Sequence, residues 1–339
     1  MGPEIKAKEQ KAKFAGFLDQ TWASLKKQTY LFPLVLLIVM VTITYIIQPQ
    51  MFHKVRQLNS NIRTMIPLMF LAVAQALVII NGSIDLSIGP LMSMVAAVMV
   101  TNMVPESPVS QYALMVGVGL LVGILAGSFN GILVSWVRLP AFITTYATGY
   151  IFNGIALTLL PRPGGFVSDV VAKYYRAAIP LNIPMGVWLA SIVLITWGII
   201  RLTRYHTYLY AIGGDPKAAY TTGVPVIRNR IVTYMVAGGL AATAAVFLTL
   251  ITGSSDSRVG DPMTLDSVVA VVLGGTAMSG GMGGVAGSIF GVFVLGFIRN
   301  VVSFLRINSW FQPLVDASIV LLAIATPGFI GLFRKKVFK

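Results

Sequence analysis

The stretch PLMFLAVAQALVIINGSIDLSIGPLMSMVAAVMV, residues 67–100, reads as two apolar runs parted by Asn81, Gly82, Ser83, Asp85 and Ser87. Apolar runs near 20 residues cross a bilayer as helices. Transmembrane strands would instead alternate in segments of roughly ten. The stretch is therefore membrane-embedded helix with a polar break, and the break contains a lone carboxylate. A charge at the bilayer centre costs at least about 2.5–3.5 kcal/mol on insertion scales, so Asp85 needs a partner or a cavity. Two residues before Ser87, it is placed to cap the next helix, near the positive end of the dipole. A gating ion pair and direct solute contact are the competing readings. A proton relay lacks its partner acids and histidines.

The rest of the chain has the same character. Of 339 residues, 56% are hydrophobic and 11% charged, with mean hydropathy +0.82, against about 25% charged in soluble domains. We expect an all-α polytopic membrane protein of about ten transmembrane helices, with segments near 30–48, 63–80, 87–103, 112–137, 141–160, 184–200, 231–251, 265–278, 285–305 and 310–331. The third and eighth are short and glycine-edged, so each reads as broken or re-entrant. AGSFNGILV (126–134) and AGSIFGVFV (286–294) share their Ala-Gly-Ser start, an inner Gly and a final Val. They lie five segments apart, which suggests an inverted repeat with a path at its interface. Small-residue packing motifs also recur by chance in helical bundles.

The net charge of +14 would suggest nucleic acid in a soluble protein. Here it reads as topology, with no nucleic-acid partner, because Lys and Arg collect on the cytoplasmic side. The polar tail 1–29, the loop 201–230 and the basic tail 332–339 hold most of the 25 basic residues. Both termini are therefore expected in the cytoplasm, flanking a transmembrane domain over 30–331. The amphipathic tail 1–29 is expected on the membrane lipid surface. The chain has no Cys, and only His53 and His206, so neither a disulfide nor a metal site built on His or Cys is expected. No G-x-x-x-x-G-K-[ST] occurs, so no P-loop binds ATP here.

Three further stretches attract attention. In the loop 201–231, Gly213 and Gly214 make a break, Asp215 is a good N-cap, and Pro216 suits the first helical position. Lys217, Ala218 and Ala219 begin a short helix that Gly223 ends. It reads as an interfacial connector or as a docking helix for a soluble partner. Gly274, Gly275, Gly280 and Gly281 allow close helix approach and read as a gate or hinge, or as plain packing. The loop 161–184, with Arg162, Lys173 and Arg176, is a dock on the opposite face or a solvated loop. Among acids, Asp266 reads as a second cap, and Asp316 as an ion-pair partner of Arg299 or a pathway residue. A neutral solute needs hydroxyl and amide partners. The candidates are Gln75, Asn81, Ser83, Asn130, Thr144, Thr145, Thr148, Asn153, Thr276, Ser279 and Gln312, with the aromatic Tyr150 beside them. Each could equally bond its own helix.

KAAYTTG resembles the A-A-x-x-x-G core of the coupling loop in bacterial ABC importer permeases. NGSIDLSIGP, SFNGILVSWVRLPAFITTYAT, YLYAIGGDPKAAYTTGV and LDSVVAVVLGGTAMSGGMGGVAGS follow in the order typical of the ribose-type permease family. That family serves monosaccharides, small polyols and autoinducer-2, and the resemblance runs from about Leu58 to Ala325. It implies an inner-membrane permease without ATPase chemistry. The implied partners are a cytoplasmic ABC ATPase carrying ATP and Mg, a second permease subunit, identical or paralogous, and an extracytoplasmic substrate-binding protein. No cofactor is expected on this chain. Two departures stand out: Lys217 replaces the usual acid of the coupling motif, and Ser83 replaces a Gly. A branched-chain amino-acid permease, an ion-coupled secondary transporter, an intramembrane enzyme and a receptor or scaffold remain as alternatives. The docking-type loop and the few intramembrane acids argue against the secondary transporter, the enzyme lacks supporting residues, and composition alone leaves the receptor or scaffold role open.

Overall fold

The structure is a computed structural model that describes residues 31–306, with Phe311, Leu314 and Ser318. The two tails, most of the tenth apolar segment, Gln312 and Asp316 lie outside the described residues. Among the described residues the regular structure is helical, apart from one isolated bridge between Gly164 and Ser255.

The chain enters through α1 (Leu31–Ile47), α2 (Gln50–His53) and α3 (Val55–Arg63), then α4 (Ile66–Ile80) and α5 (Ile88–Thr101). α6 (Val109–Ser135), α7 (Ala141–Leu159), α8 (Asp169–Ala177) and α9 (Met185–Ile200) follow. The remainder is α10 (Arg204–Gly214), α11 (Pro216–Thr221), α12 (Val226–Thr252), α13 (Asp261–Leu273) and α14 (Val285–Phe304).

Among the described residues three helices, α6, α12 and α14, are long and apolar enough to cross a membrane, and bent pairs raise the number to at most five. The expected ten spans are therefore supported in part, as a helical protein with several apolar spans. α3 and α4 meet at 45°. Pro67 lies in the first turn of α4, where its ring clashes with the Arg63 carbonyl and offers it no N–H. The segment from α8 to α9 bends by 76°, across Pro180 and Pro184. The third and eighth apolar segments are α5, of 14 residues, and α13, of 13. At 1.5 Å per residue each covers about two thirds of a hydrocarbon core of roughly 30 Å.

α4 is buried along its whole length, among α12, α13 and α14. α5 is almost as buried, among α6, α7 and α12. The most extensive helix pairing is α6 on α12. Gly123 and Gly127 bring the two backbones together at Gly238 and Tyr234, and a Cβ on Gly127 would overlap the Tyr234 carbonyl oxygen. Small residues permit such approach where lipid supplies no hydrophobic drive between helices. In α14, Gly287 and Gly291 do the same against Gly274 and Ala270 of α13 and its end. So the two copies of the nine-residue pattern do the same local work. Their partners, α12 and α13, are not counterparts under a five-segment offset, so this packing alone does not make a repeat.

The two short helices begin side by side. A Cβ on Gly89 or on Gly260 would overlap the other's carbonyl oxygen, and the Gly260 N–H donates to Ser93 Oγ at 2.9 Å. From there they diverge. α5 runs to Val100, whose carbonyl accepts the Phe166 N–H at 3.0 Å. α13 runs the other way, toward Gly281, whose N–H donates to the Ile80 carbonyl at 2.9 Å. Their meeting point faces Gly149, near the middle of α7.

Candidate functional site

Two places gather the candidate residues. The first lies at the end of the bundle that carries α11. Asp215 accepts the N–H groups of Lys217 and Ala218 at 2.8 and 3.1 Å, closing the N-terminus that Pro216 opens. The Gly223 N–H donates to Tyr220 and the Val224 N–H to Ala219, and Gly223 takes φ +84°, a left-handed stop. Ala219 is buried and Lys217 and Ala218 are exposed. Beside the helix is a mainly apolar cavity of about 440 Å³ lined by Tyr220, Val224, Pro225, Arg228, Ile231 and Val232. In α10, partial burial and the nearby Arg201 charge hold the His206 imidazole below its ordinary range.

The break expected at Gly213 and Gly214 is the last turn of α10 instead. Gly213 is small because three distant segments meet on it. A Cβ there would overlap the Ile80 carbonyl oxygen and lie 2.6 Å from the Gly281 nitrogen. Gly82 and Gly280 are likewise in backbone contact. Asn81 Nδ2 donates to Asn229 Oδ1 and Thr233 Oγ1 at 3.0 and 3.1 Å, and Thr233 bonds the Tyr205 hydroxyl at 3.1 Å. The segment that leads into α11 is thus fastened to both glycine-rich breaks, at 81–83 and 280–281. Gly274 packs on Gly287, and Gly275 carries φ +80°. Thr276 Oγ1 accepts the Gly284 N–H at 3.2 Å, while Ser279 is exposed.

The second place is where α5 and α13 begin. Asp85 is 2% exposed. It accepts the Ser87 N–H at 2.8 Å and the Ser87 hydroxyl at 2.6 Å, and Asn130 Nδ2 donates to Ser87 Oγ at 2.7 Å. This is a local turn just before α5: Asp85 bonds Ser87 and accepts none of the first N–H groups of the helix, so the expected cap is not formed. Thr144, Thr145 and Thr148 turn their hydroxyls to the carbonyls of Pro140, Ala141 and Thr145. Thr145 Oγ1 also accepts the Leu86 N–H at 3.0 Å. The Ser83 N–H donates to the Val78 carbonyl. Gln75 is fully buried in α4, and its side-chain amide makes no hydrogen bond among the described residues. The three threonine hydroxyls are thus bonded to their own helix backbone.

One candidate differs. Asn153 Nδ2 donates to Asp261 Oδ1 at 2.9 Å, across from α7 to the first turn of α13. Both border a cavity of about 270 Å³, with Tyr146 and Tyr150 on the α7 side and Thr264 on α13. The two tyrosine hydroxyls are 2.9 Å apart and their rings meet edge to face at 5.0 Å. They are 53% and 64% exposed. Tyr146 and Asp261 were not among the sequence candidates. The signal was present, since positions 146, 150 and 153 share one helix face, and Asp261-Pro262 has the chemistry of a helix start.

The acids also need correction. Asp266 is not a cap: it lies inside α13, and its Oδ1 is 2.7 Å from Arg299 Nη2 of α14. Arg299 therefore meets Asp266, whereas the expected partner Asp316 lies outside the described residues. In the loop 161–184, Lys173 forms an exposed pair with Asp169 at 3.7 Å within α8. The backbone of Arg176 is held by Arg63 Nη2, which donates to its carbonyl at 2.8 Å.

Long apolar helices with short apolar helices packed among them are those of a multi-pass membrane protein, and its similarities place it in the permease class. The chain belongs to the family described as branched-chain amino acid transport system / permease component, which matches residues 58–325. It is 31% identical over 301 residues to the ribose import permease protein RbsC of Haemophilus influenzae, covering 87% of this chain and 92% of the relative. The Escherichia coli K12 protein of the same name is 30% identical, over 86% and 91%. The autoinducer 2 import system permease protein LsrC of E. coli K12/DH10B is 31% identical over 263 residues, covering 76% and 74%. No solved structure shows significant similarity to the chain.

Proposed function

We propose that this chain is the permease subunit of an ATP-driven importer that moves a monosaccharide or related small polyol across the bacterial inner membrane. The observation that carries this reading is the similarity to ribose import permeases over nearly the full length of both chains. The cavity between α7 and α13 agrees with it. Its lining holds hydroxyl, amide and carboxylate groups and no Lys or Arg.

In this reading both termini face the cytoplasm and the chain crosses the membrane about ten times. A binding protein releases solute between two permeases. A separate ATPase, holding ATP and Mg, docks on α11 and its apolar cavity, and its cycle reorients the helices. No chemistry occurs on this chain. The test is purification of the tagged protein from its native membrane in mild detergent. A stoichiometric Walker-A subunit, with ATP hydrolysis that drives pentose uptake in proteoliposomes, is the expected result. A solitary chain whose transport collapses with a protonophore at constant ATP overturns it.

The α11 cap supplies a graded prediction. Asp215→Ala removes a side-chain cap worth about 1 kcal/mol from a helix of six residues. Uptake per ATP hydrolysed is expected to fall severalfold with membrane insertion unchanged. Asp215→Asn, which still accepts, is expected to recover most of it.

A further inference from the structure

We propose that Asp261, Asn153, Tyr146 and Tyr150 form a station on the solute path that accepts hydroxyl donors and turns away anions. This rests on the importer reading and assigns it to particular atoms. Asp261 Oδ1 takes the Asn153 amide N–H, which fixes the carboxylate at the mouth of the cavity. The oxygens of the Asp261 carboxylate only accept, which suits neighbouring O–H groups of a polyol.

Tyr146 and Tyr150 sit one turn apart above this pair, and the bond between their hydroxyls uses only one of the two protons. The second proton is left to donate to a solute oxygen, and the ring bodies present apolar surface to the C–H face of a sugar. The cavity lies near the middle of α7, where Gly149 leaves room beside Pro90. Its volume of about 270 Å³ is just below the ordinary range of small-molecule sites, about 300–1,000 Å³, which suits a small solute held briefly. The lining carries a carboxylate and no basic side chain, so a phosphorylated or uronic sugar meets like charge in a poorly screened place.

The test has two parts. Saturation-transfer NMR on the full chain in detergent, without binding protein, compares D-ribose with D-glucuronate at millimolar concentration. Wild type is expected to bind ribose at least tenfold better than glucuronate, and Asp261→Asn to lose most of that preference. In proteoliposomes with the whole complex, Asp261→Ala is expected to cut ribose uptake per ATP at least tenfold. ATPase stimulation by the binding protein should persist, which a merely structural role of Asp261 would not preserve. Equal binding of both sugars by wild type, or wild-type uptake by Asp261→Ala, overturns the station. Failure of the wild-type complex to move any neutral sugar overturns instead the importer reading on which the station rests.

Discussion

Gly213→Ala is expected to abolish coupled transport, while Gly214→Ala, one residue on, leaves it intact. The added methyl at 213 would overlap the Ile80 carbonyl oxygen and press on the Gly281 nitrogen at 2.6 Å. Those two atoms are the acceptor and donor of one 2.9 Å hydrogen bond. The methyl thus wedges apart the end of α4, the end of α10 and the break after α13. Backbone atoms cannot swing aside as a flexible side chain does. Overpacking costs about 1–3 kcal/mol, and the strained hydrogen bond adds a cost of similar size. At Gly214 a Cβ meets nothing within 4 Å, and alanine favours a helix over glycine by about 1 kcal/mol. Uptake is expected to fall at least a hundredfold in Gly213→Ala and to stay within twofold in Gly214→Ala. Extraction yield and thermal midpoint in detergent show whether the loss is of folding or of coupling. Wild-type transport by Gly213→Ala would remove this contact from any account of coupling.

Arg299→Met is expected to destabilise the protein by about 1–2 kcal/mol, below the scale for breaking a fully buried ion pair, because both side chains keep some exposure. Asp266 of α13 and Arg299 of α14 are 2.7 Å apart, with side chains 18% and 28% exposed. Arg299→Met and Asp266→Leu each remove one half of this ion pair. The double variant Asp266→Leu with Arg299→Met removes both halves together and is expected to lose less than the two single losses added. Thermal midpoints of the four proteins give the coupling between the residues. A coupling above about 1 kcal/mol supports the pair as a fastening between the two helices. Additive effects would show that it contributes nothing.

The local features were legible in the sequence for local reasons. Apolar runs mark embedded helix because lipid leaves backbone groups no other partner. Asp215-Pro216 and Gly223 mark the ends of α11 because capping and left-handed stops involve only neighbouring residues. Asp85 reaches Ser87, two residues away, and the shortness of α5 and α13 follows from their flanking breakers. Burial was less legible. Hydropathy marks apolar runs, and it does not show which of them, like α4 and α5, are surrounded by protein rather than lipid.

Partners far apart in sequence were decided by the tertiary structure alone. Asp266 finds Arg299, not a cap, because α13 lies along α14 in the register that Gly274, Gly287 and Gly291 permit. Asn153 meets Asp261 because Gly89 and Gly260 let two short helices start beside α7. Gly82, Gly213 and Gly280 converge because each lacks the side chain that would hold the backbones apart. A residue's capacity to cap, break or span is written in its immediate neighbours. Which distant residue it touches depends on helix register, and that is set by the packing of whole helices against one another.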